Sequence, residues 1–186
     1  MSEFYFSKLD VDVDRTLEPS WSKKVPRWYQ LDDAAFAIAE WGSKLMTLDP
    51  ELFFLFIRGA SNKTDRQFVM KGTFSPQDFV HTLPSVRFGT LAELMGWSVP
   101  MICQCEETTP NGRAFLEGQS WARHGASRVL SVAMEPNGVA GFRFMTHAFS
   151  FPQKSLDNRF IAVNSNGNNF DLNAWVSGTA QTELMV

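Results

Sequence analysis

The side chains best suited to chemistry are few. Cys103 and Cys105 stand one residue apart, and the histidines are His81, His124 and His147. These are metal-ligand types, but one Cys-x-Cys pair with no second pair and no histidine beside it falls short of zinc spacing, so no metal is expected. A nucleophile pair, Cys105 with His124, is formally available. It lacks the strand-to-helix elbow and glycine-rich oxyanion loop that would accompany it, and the plainer reading is two small hydrophobes on one strand face. Alternate side chains of a strand point the same way but stay apart, so both thiols are expected to be reduced. Glu106-Glu107 reads as a solvated strand end rather than an acid–base pair, and there is no Walker or dinucleotide glycine pattern. The expectation is a chain without cofactor, small-molecule substrate or enzymatic activity.

Binding chemistry is more visible. Residues 15–30 form an irregular arm in which Lys23, Lys24 and Arg27 are interleaved with Trp21, Trp28 and Tyr29 and with two prolines. Rings that stack or insert beside cations that meet phosphates suit a membrane surface or a nucleoprotein. The alternative is a surface loop pinned to its own domain by its tryptophans. Farther along, residues 83–100 are dense in apolar side chains, among them Leu91, Leu94, Met95 and Trp97. Such a piece is either a lid packed on the core or a contact patch for another protein or a membrane.

The scaffold for these features is one domain spanning 1–186, long enough to bury a sizeable core. An apolar fraction of 44% with 17 Phe and 6 Trp excludes a disordered chain, and a formal charge of -3 gives no global field for nucleic acid. No apolar run approaches the roughly 18 residues of a membrane span, and the N-terminus has no signal-peptide pattern, so the protein is expected to start in the cytosol. Phe4 and Phe6, then Leu9, Val11 and Val13, alternate as a strand whose phase slips, which suggests a bulge near Ser7–Lys8. Asp32 is a good N-cap, with Leu31 and Phe36 as a hydrophobic staple. Ala34, Ile38, Trp41, Leu45 and Leu48 then recur at helical spacing. Gly42 within that helix leaves room for a close neighbour. After Asp49–Pro50 the run Leu52 to Ile57 fits a strand buried on both faces or the inward half of a helix.

Beyond it, Phe68 to Phe74 alternates as a returning strand, and Ser75-Pro76-Gln77-Asp78 and Thr90-Leu91-Ala92-Glu93 mark the starts of two short helices. From Val99 the chain reads as antiparallel β, with Asn-Gly turns at 110–112 and 136–138 and a third candidate at 165–168. The strands expected are 99–108, 113–122, 127–135, 139–151, 159–164 and 169–177, and 179–186 forms a flexible tail. The fold class is therefore α+β: an antiparallel sheet of five or six strands against one main helix and two short ones.

Taken in order, these segments resemble a rhabdovirus matrix protein. Phe4-Tyr5-Phe6 is similar to its first strand, Ala34-Ala35-Phe36-Ala37-Ile38-Ala39-Glu40-Trp41 to its alanine-rich helix, and Phe53-Phe54-Leu55-Phe56-Ile57-Arg58-Gly59 to its apolar strand. Asn111-Gly112-Arg113-Ala114-Phe115-Leu116 and Arg159-Phe160-Ile161-Ala162-Val163-Asn164, with Trp175 and Gln181-Thr182, resemble later stretches. The chain departs from animal-virus members in having no lysine-rich leader and no Pro-Pro-x-Tyr or Pro-Thr/Ser-Ala-Pro motif, which fits a short member of the plant-infecting kind. The resemblance implies a virion structural protein in the host cytoplasm and at the inner face of the viral envelope. It would self-associate, condense the nucleoprotein–RNA and link it to membrane and envelope glycoprotein. Trp21, Lys23, Lys24, Arg27 and Trp28 would then contact nucleocapsid or membrane, and Leu91, Leu94, Met95 and Trp97 would form an exposed loop for self-association or membrane contact. Two other readings stay open, an assembly protein of a phage or secretion apparatus and an RNA-binding module. For the second, residues 3–108 can be written in ferredoxin-like order, and Phe160 to Val176 is similar to a strand pair of CRISPR repeat-processing endonucleases, without their catalytic histidine.

Overall fold

The structure is a computed structural model and describes residues 3–45, 47–58, 70, 84–106 and 110–164. Six strands, β1 (Glu3–Asp12), β2 (Leu52–Arg58), β3 (Met101–Glu106), β4 (Val129–Asn137), β5 (Gly141–Phe149) and β6 (Ile161–Asn164), form one sheet in the order β3-β2-β4-β5-β1-β6. Helices α1 (Asp33–Lys44) and α2 (Pro84–Met95) cover one face, and α3 (Pro110–Arg123) covers the other. The class is α+β, as expected, but the sheet is mixed. β2 runs parallel to both of its neighbours, β3 and β4, while β4, β5, β1 and β6 pair antiparallel. A parallel pair needs a long crossover, and α3 supplies the one from β3 to β4.

That crossover corrects the largest misreading, a strand over 113–122. Pro110-Asn111-Gly112 opens α3 instead of turning a hairpin, and Ala114, Phe115 and Gly118 form its buried stripe. Proline suits a first helical position because its missing N–H would have had no intrahelical partner. By contrast Asn137-Gly138 does lead into a hairpin, the turn at 138–140 joining β4 to β5 with Gly138 at φ 73. Thr90 lies inside α2, its hydroxyl donating to the Val86 carbonyl, and so does not start the helix. The third turn, the 75–78 helix start, the last strand and the tail lie outside the described residues, as does the returning strand 68–74 except for Met70, which is helical.

The run Leu52 to Ile57 is a strand, and its burial on both faces follows from its place between β3 and β4 under two helical layers. Phe53, Leu55 and Ile57 join the core beneath α1 and α2, while Phe54 and Phe56 join the core beneath α3. Two such faces also explain β1. It pairs residue for residue with β5 from Tyr5 to Asp12 with no bulge. Phe4 and Phe6 face α3 while Val11 faces α1, so the apparent phase slip is one strand burying both sides. Because β1 lies between β5 and β6, residues 3–108 do not close a ferredoxin-like sheet of their own.

Helix α1 is as marked in the sequence. The Asp32 carboxylate accepts from the Ala35 backbone N–H at 2.6 Å, and Leu31 and Phe36 share a buried cluster. Trp41 stacks on Phe144 with centroids 5.4 Å apart. Gly42 does admit a close neighbour, since a Cβ there would lie 2.5 Å from Leu91 Cδ1.

The tightest approach is on the other face. A Cβ on Gly118 would lie 2.4 Å from Phe149 Cε2 and 2.9 Å from Ser131 Cβ. Phe149 is fully buried among Phe4, Phe115 and His147 and has nowhere to go. Gly118→Ala is therefore expected to destabilise by about 2 kcal/mol through overpacking, lowering Tm by about 5 °C. Gly89→Ala, with nothing within 4 Å of the new methyl, should instead stabilise by up to about 1 kcal/mol through helix propensity. Thermal unfolding of the two variants checks the contrast; equal effects would mean that α3 is not seated as described.

Candidate functional site

The reactive groups are dispersed. Cys103 lies on the sheet face beneath α2, where burial first, then the neighbouring Cys105, pushes its thiol up to about 12 against the pull of Arg87. A thiol so raised is a poor nucleophile at neutral pH. Cys105 shares that face, two residues along the strand, and is exposed. His147 belongs to the opposite face, fully buried against Phe6 and Phe115, and burial pushes its imidazole down to about 3. His124 follows the C-terminal end of α3, its Nδ1 2.7 Å from the Ser120 carbonyl, whereas Cys105 lies beside Ile57 on the sheet face opposite to that helix. His81 lies outside the described residues. No group of three metal-ligating side chains occurs among the described residues.

The apolar stretch is a lid. Leu91 and Leu94 are fully buried, and Met95 and Trp97 are half-buried against the core. The Trp97 indole N–H donates to the Leu48 carbonyl at 3.0 Å. Leu91 and Leu94 therefore do not belong to the exposed loop that the family resemblance implies; Gly42 draws α2 close enough to bury them against α1.

The arm is pinned at one end and open at the other. Trp21 is buried against Phe36 and donates to Glu40 Oε2 at 2.8 Å. It thus anchors the arm and is removed from any contact surface. Lys24 donates to the Leu94 carbonyl at 3.1 Å, tying the arm to the lid. Lys23 and Arg27 remain exposed, with Tyr29 beside a half-buried Trp28 whose ring lies 6.3 Å from that of Phe36.

A different surface brings exposed apolar side chains to a sheet edge. β3 is a terminal strand among the described residues. On the α3 side it presents Ile102, 42% exposed, next to Phe54 in register, and Trp121 of α3 lies over Phe54 with centroids 6.1 Å apart and is 45% exposed. Edge strands offer backbone hydrogen bonds to an added strand, and natural proteins usually blunt them. The seam is hidden in the sequence because Pro110-Asn111-Gly112 reads as a hairpin turn and 113–122 as the strand that follows it. Reading Ala114, Phe115, Gly118 and Ala122 at helical spacing would have placed Trp121 beside the edge.

At the carboxyl end of β2, β3 and β4 a row of charges crosses the same face. Asp10, Arg143, Glu135 and Arg58 alternate in sign, with contacts of 2.9, 3.9 and 3.9 Å, and Arg58 is in register with Glu106 of β3. Glu106 is thus the outermost member of an ordered row. Arg113 approaches it at 4.0 Å but makes its shorter contact, 2.9 Å, with Glu117.

No family model and no curated protein matches the sequence. A solved complex of the ketosynthase ApeO with its chain length factor ApeC, from Xenorhabdus doucetiae, contains a chain of similar fold. The TM-score is 0.59 over 80% of this chain and 79% of that one, at 10% sequence identity. This is a likeness of fold.

Proposed function

We propose that this chain is a binding subunit that joins a second, different protein along β3 and the adjoining side of α3, as one member of a pair of the ketosynthase and chain length factor kind. The observation that carries this reading is the coincidence of a strand that is terminal among the described residues with exposed Ile102 and Trp121, while the two cysteines lie on the sheet face opposite to His124 and His147. Acyl transfer on cysteine needs a thiolate beside a base. That pairing is not found among the described cysteines and histidines, so the chain's contribution is taken to be contact and not turnover. The likeness to a chain of a two-protein complex supports the same reading.

A second reading, a virion matrix protein contacting nucleoprotein–RNA, membrane or its own copies, is favoured by the outward-facing Lys23, Arg27 and Tyr29. One experiment separates the two. The chain is co-expressed with ketosynthase-type proteins of its own genome, and complexes are weighed by native mass spectrometry. The expected result is a heteromeric complex lost with Ile102→Asp and Trp121→Glu and kept with Lys23→Ala and Arg27→Ala. Salt-sensitive capture of ribonucleoprotein that depends on Lys23 and Arg27 would transfer the assignment to the second reading. A condensation activity abolished by Cys105→Ser would overturn the binding-subunit reading.

A further inference from the structure

Where β1 and β6 pair, a cavity of about 310 Å³ opens over Tyr5 and Ala162. The two residues are in register on adjacent strands, so their side chains share one face, the one that α1 covers farther along the sheet. The segment from Gln153 to Phe160 forms the wall. Its own bonds hold it in shape: the Leu156 N–H donates to the Gln153 carbonyl at 3.0 Å and the Phe160 N–H to the Asp157 carbonyl at 3.1 Å. The Arg159 guanidinium donates to the Lys44 carbonyl and so ties the wall to the end of α1. A wall fixed before binding lowers the cost of ordering a site around a ligand. Ala162 is exposed and ends at a methyl, so a larger side chain there would fill the space.

The lining decides what could enter. Leu156 and Phe160, packed on the core, and Ala162 supply apolar surface. Tyr5, Gln153 and Asn158 supply a phenol and two carboxamides, and among the described residues none of these three side chains is engaged in a hydrogen bond or ion pair. Asp157 is the charged residue of the lining, and it is already committed, accepting from the Arg159 backbone N–H at 2.9 Å and from Arg159 Nε at 3.0 Å. An anion would therefore meet a carboxylate with no lysine or arginine among the described residues that line the cavity, and a cation would have to displace Arg159. The phenol and carboxamides both donate and accept, which matches hydroxyl groups, themselves donors and acceptors. A few polar groups set against apolar surface are the mark of small-molecule sites, and this volume lies near the lower end of their range of roughly 300–1,000 Å³. We infer that the cavity binds a single neutral sugar ring, its apolar side against Leu156, Phe160 and Ala162 and its hydroxyls on Tyr5, Gln153 and Asn158. The cavity and the seam lie on opposite faces of the sheet, so this inference does not depend on the binding-subunit reading.

The test uses the full chain, isotope-labelled, and the methyl glycosides of glucose, mannose, galactose and N-acetylglucosamine. The corresponding sugar phosphates serve as anionic probes and nicotinamide as a neutral flat ring. Backbone amide shifts are followed up to about 50 mM probe, a range that detects dissociation constants near 10 mM. At least one glycoside is expected to shift the amides of Tyr5 and of 153–162, and its phosphate should bind no more tightly. Ala162→Trp, made at an exposed strand position, should abolish these shifts while the amides of α3 stay in place, which shows that the fold is kept. Asn158→Ala should weaken binding about fivefold, the worth of one hydrogen bond. No shift with any of the four glycosides, shifts that survive Ala162→Trp, tighter binding of a sugar phosphate, or binding of nicotinamide with the glycosides silent would each overturn the inference.

Discussion

Replacing Asp32 by alanine is expected to lower stability by about 4 kcal/mol, roughly 1 for a lost helix cap and 3 for a broken buried ion pair. One carboxylate serves both purposes. Its Oδ1 accepts from the Ala35 N–H at 2.6 Å, and its Oδ2 accepts from the Arg87 guanidinium at 3.0 Å. Arg87 has no exposed surface, and the Asp32 side chain is 14% exposed. Removing one partner of such a pair leaves the other charge in a site built around it. Asp32→Asn keeps a capping oxygen but loses the charge, so it isolates the second contribution, about 3 kcal/mol. Arg87→Met alone should also be costly, yet the double variant Asp32→Asn with Arg87→Met should recover most of the loss, because an apolar side chain of similar length tolerates that site. The coupling expected from the cycle is about 2 kcal/mol, read from urea unfolding with unchanged m-values. Additive losses would show that the pair is not an energetic unit.

The pair matters for the seam as well as for stability. Arg87 fastens the first turn of α2 to the start of α1, and the chain leaving α2 passes through Trp97, held by the Leu48 carbonyl, to Pro100, whose carbonyl accepts from the Phe53 N–H. β3 begins at the next residue. The edge strand is thus delivered by the lid, which gives the apolar stretch 83–100 a purpose while Leu91 and Leu94 stay buried.

Legibility in the sequence followed the range of the interaction. The cap at Asp32, the α1 stripe and the Asn-Gly turn before β5 are local, and each could be read from a few neighbouring residues. The run Leu52 to Ile57 could be read as core, but not as the parallel centre of a mixed sheet, since nothing within it specifies whether hairpins or crossovers bring its neighbours. Residues 113–122 were misread for a related reason. Pro110-Asn111-Gly112 carries the same Asn-Gly signal as a hairpin turn, and the close contact that seats the helix is between Gly118 and Phe149, 31 positions along the chain. Among the candidate contact residues Lys23 and Arg27 face outward, whereas Trp21, Leu91 and Leu94 serve the core. The edge with Ile102 and Trp121 exists only once β3 and α3 are assembled.

His147 makes the fold acid-sensitive well above the carboxylate range. Its ring has no exposed surface and lies 5.3 Å from that of Phe6 and 5.7 Å from that of Phe115. Burial pushes its pKa from 6.5 down to about 3, and a backbone hydrogen bond with Ser131 only partly opposes this. The folded state therefore holds the neutral imidazole, while the unfolded chain takes up a proton below about pH 6.5, so unfolding binds protons and stability rises with pH in that window. Above it the contribution is complete; as pH falls toward about 3 it is progressively lost. The loss expected relative to about pH 8 is about 1.4 kcal/mol at about pH 5.5 and about 2.7 kcal/mol at about pH 4.5. Asp14 and Asp157, lowered by hydrogen bonds from Thr16 and Arg159, also take up protons on unfolding, but their stabilisation fades only near and below their unfolded value of 3.8. The interval above about pH 4.5 thus isolates the histidine. Urea unfolding between about pH 8 and 4.5 should show this slope in the natural chain and a nearly flat profile in His147→Leu. The His147 ring proton, followed by NMR, should not titrate until below about pH 4. An unchanged slope in His147→Leu would place the acid sensitivity elsewhere. If the slope disappears, acid loosens the core where β1, β5 and α3 meet, and the α3 side of the proposed seam should lose its partner over the same interval.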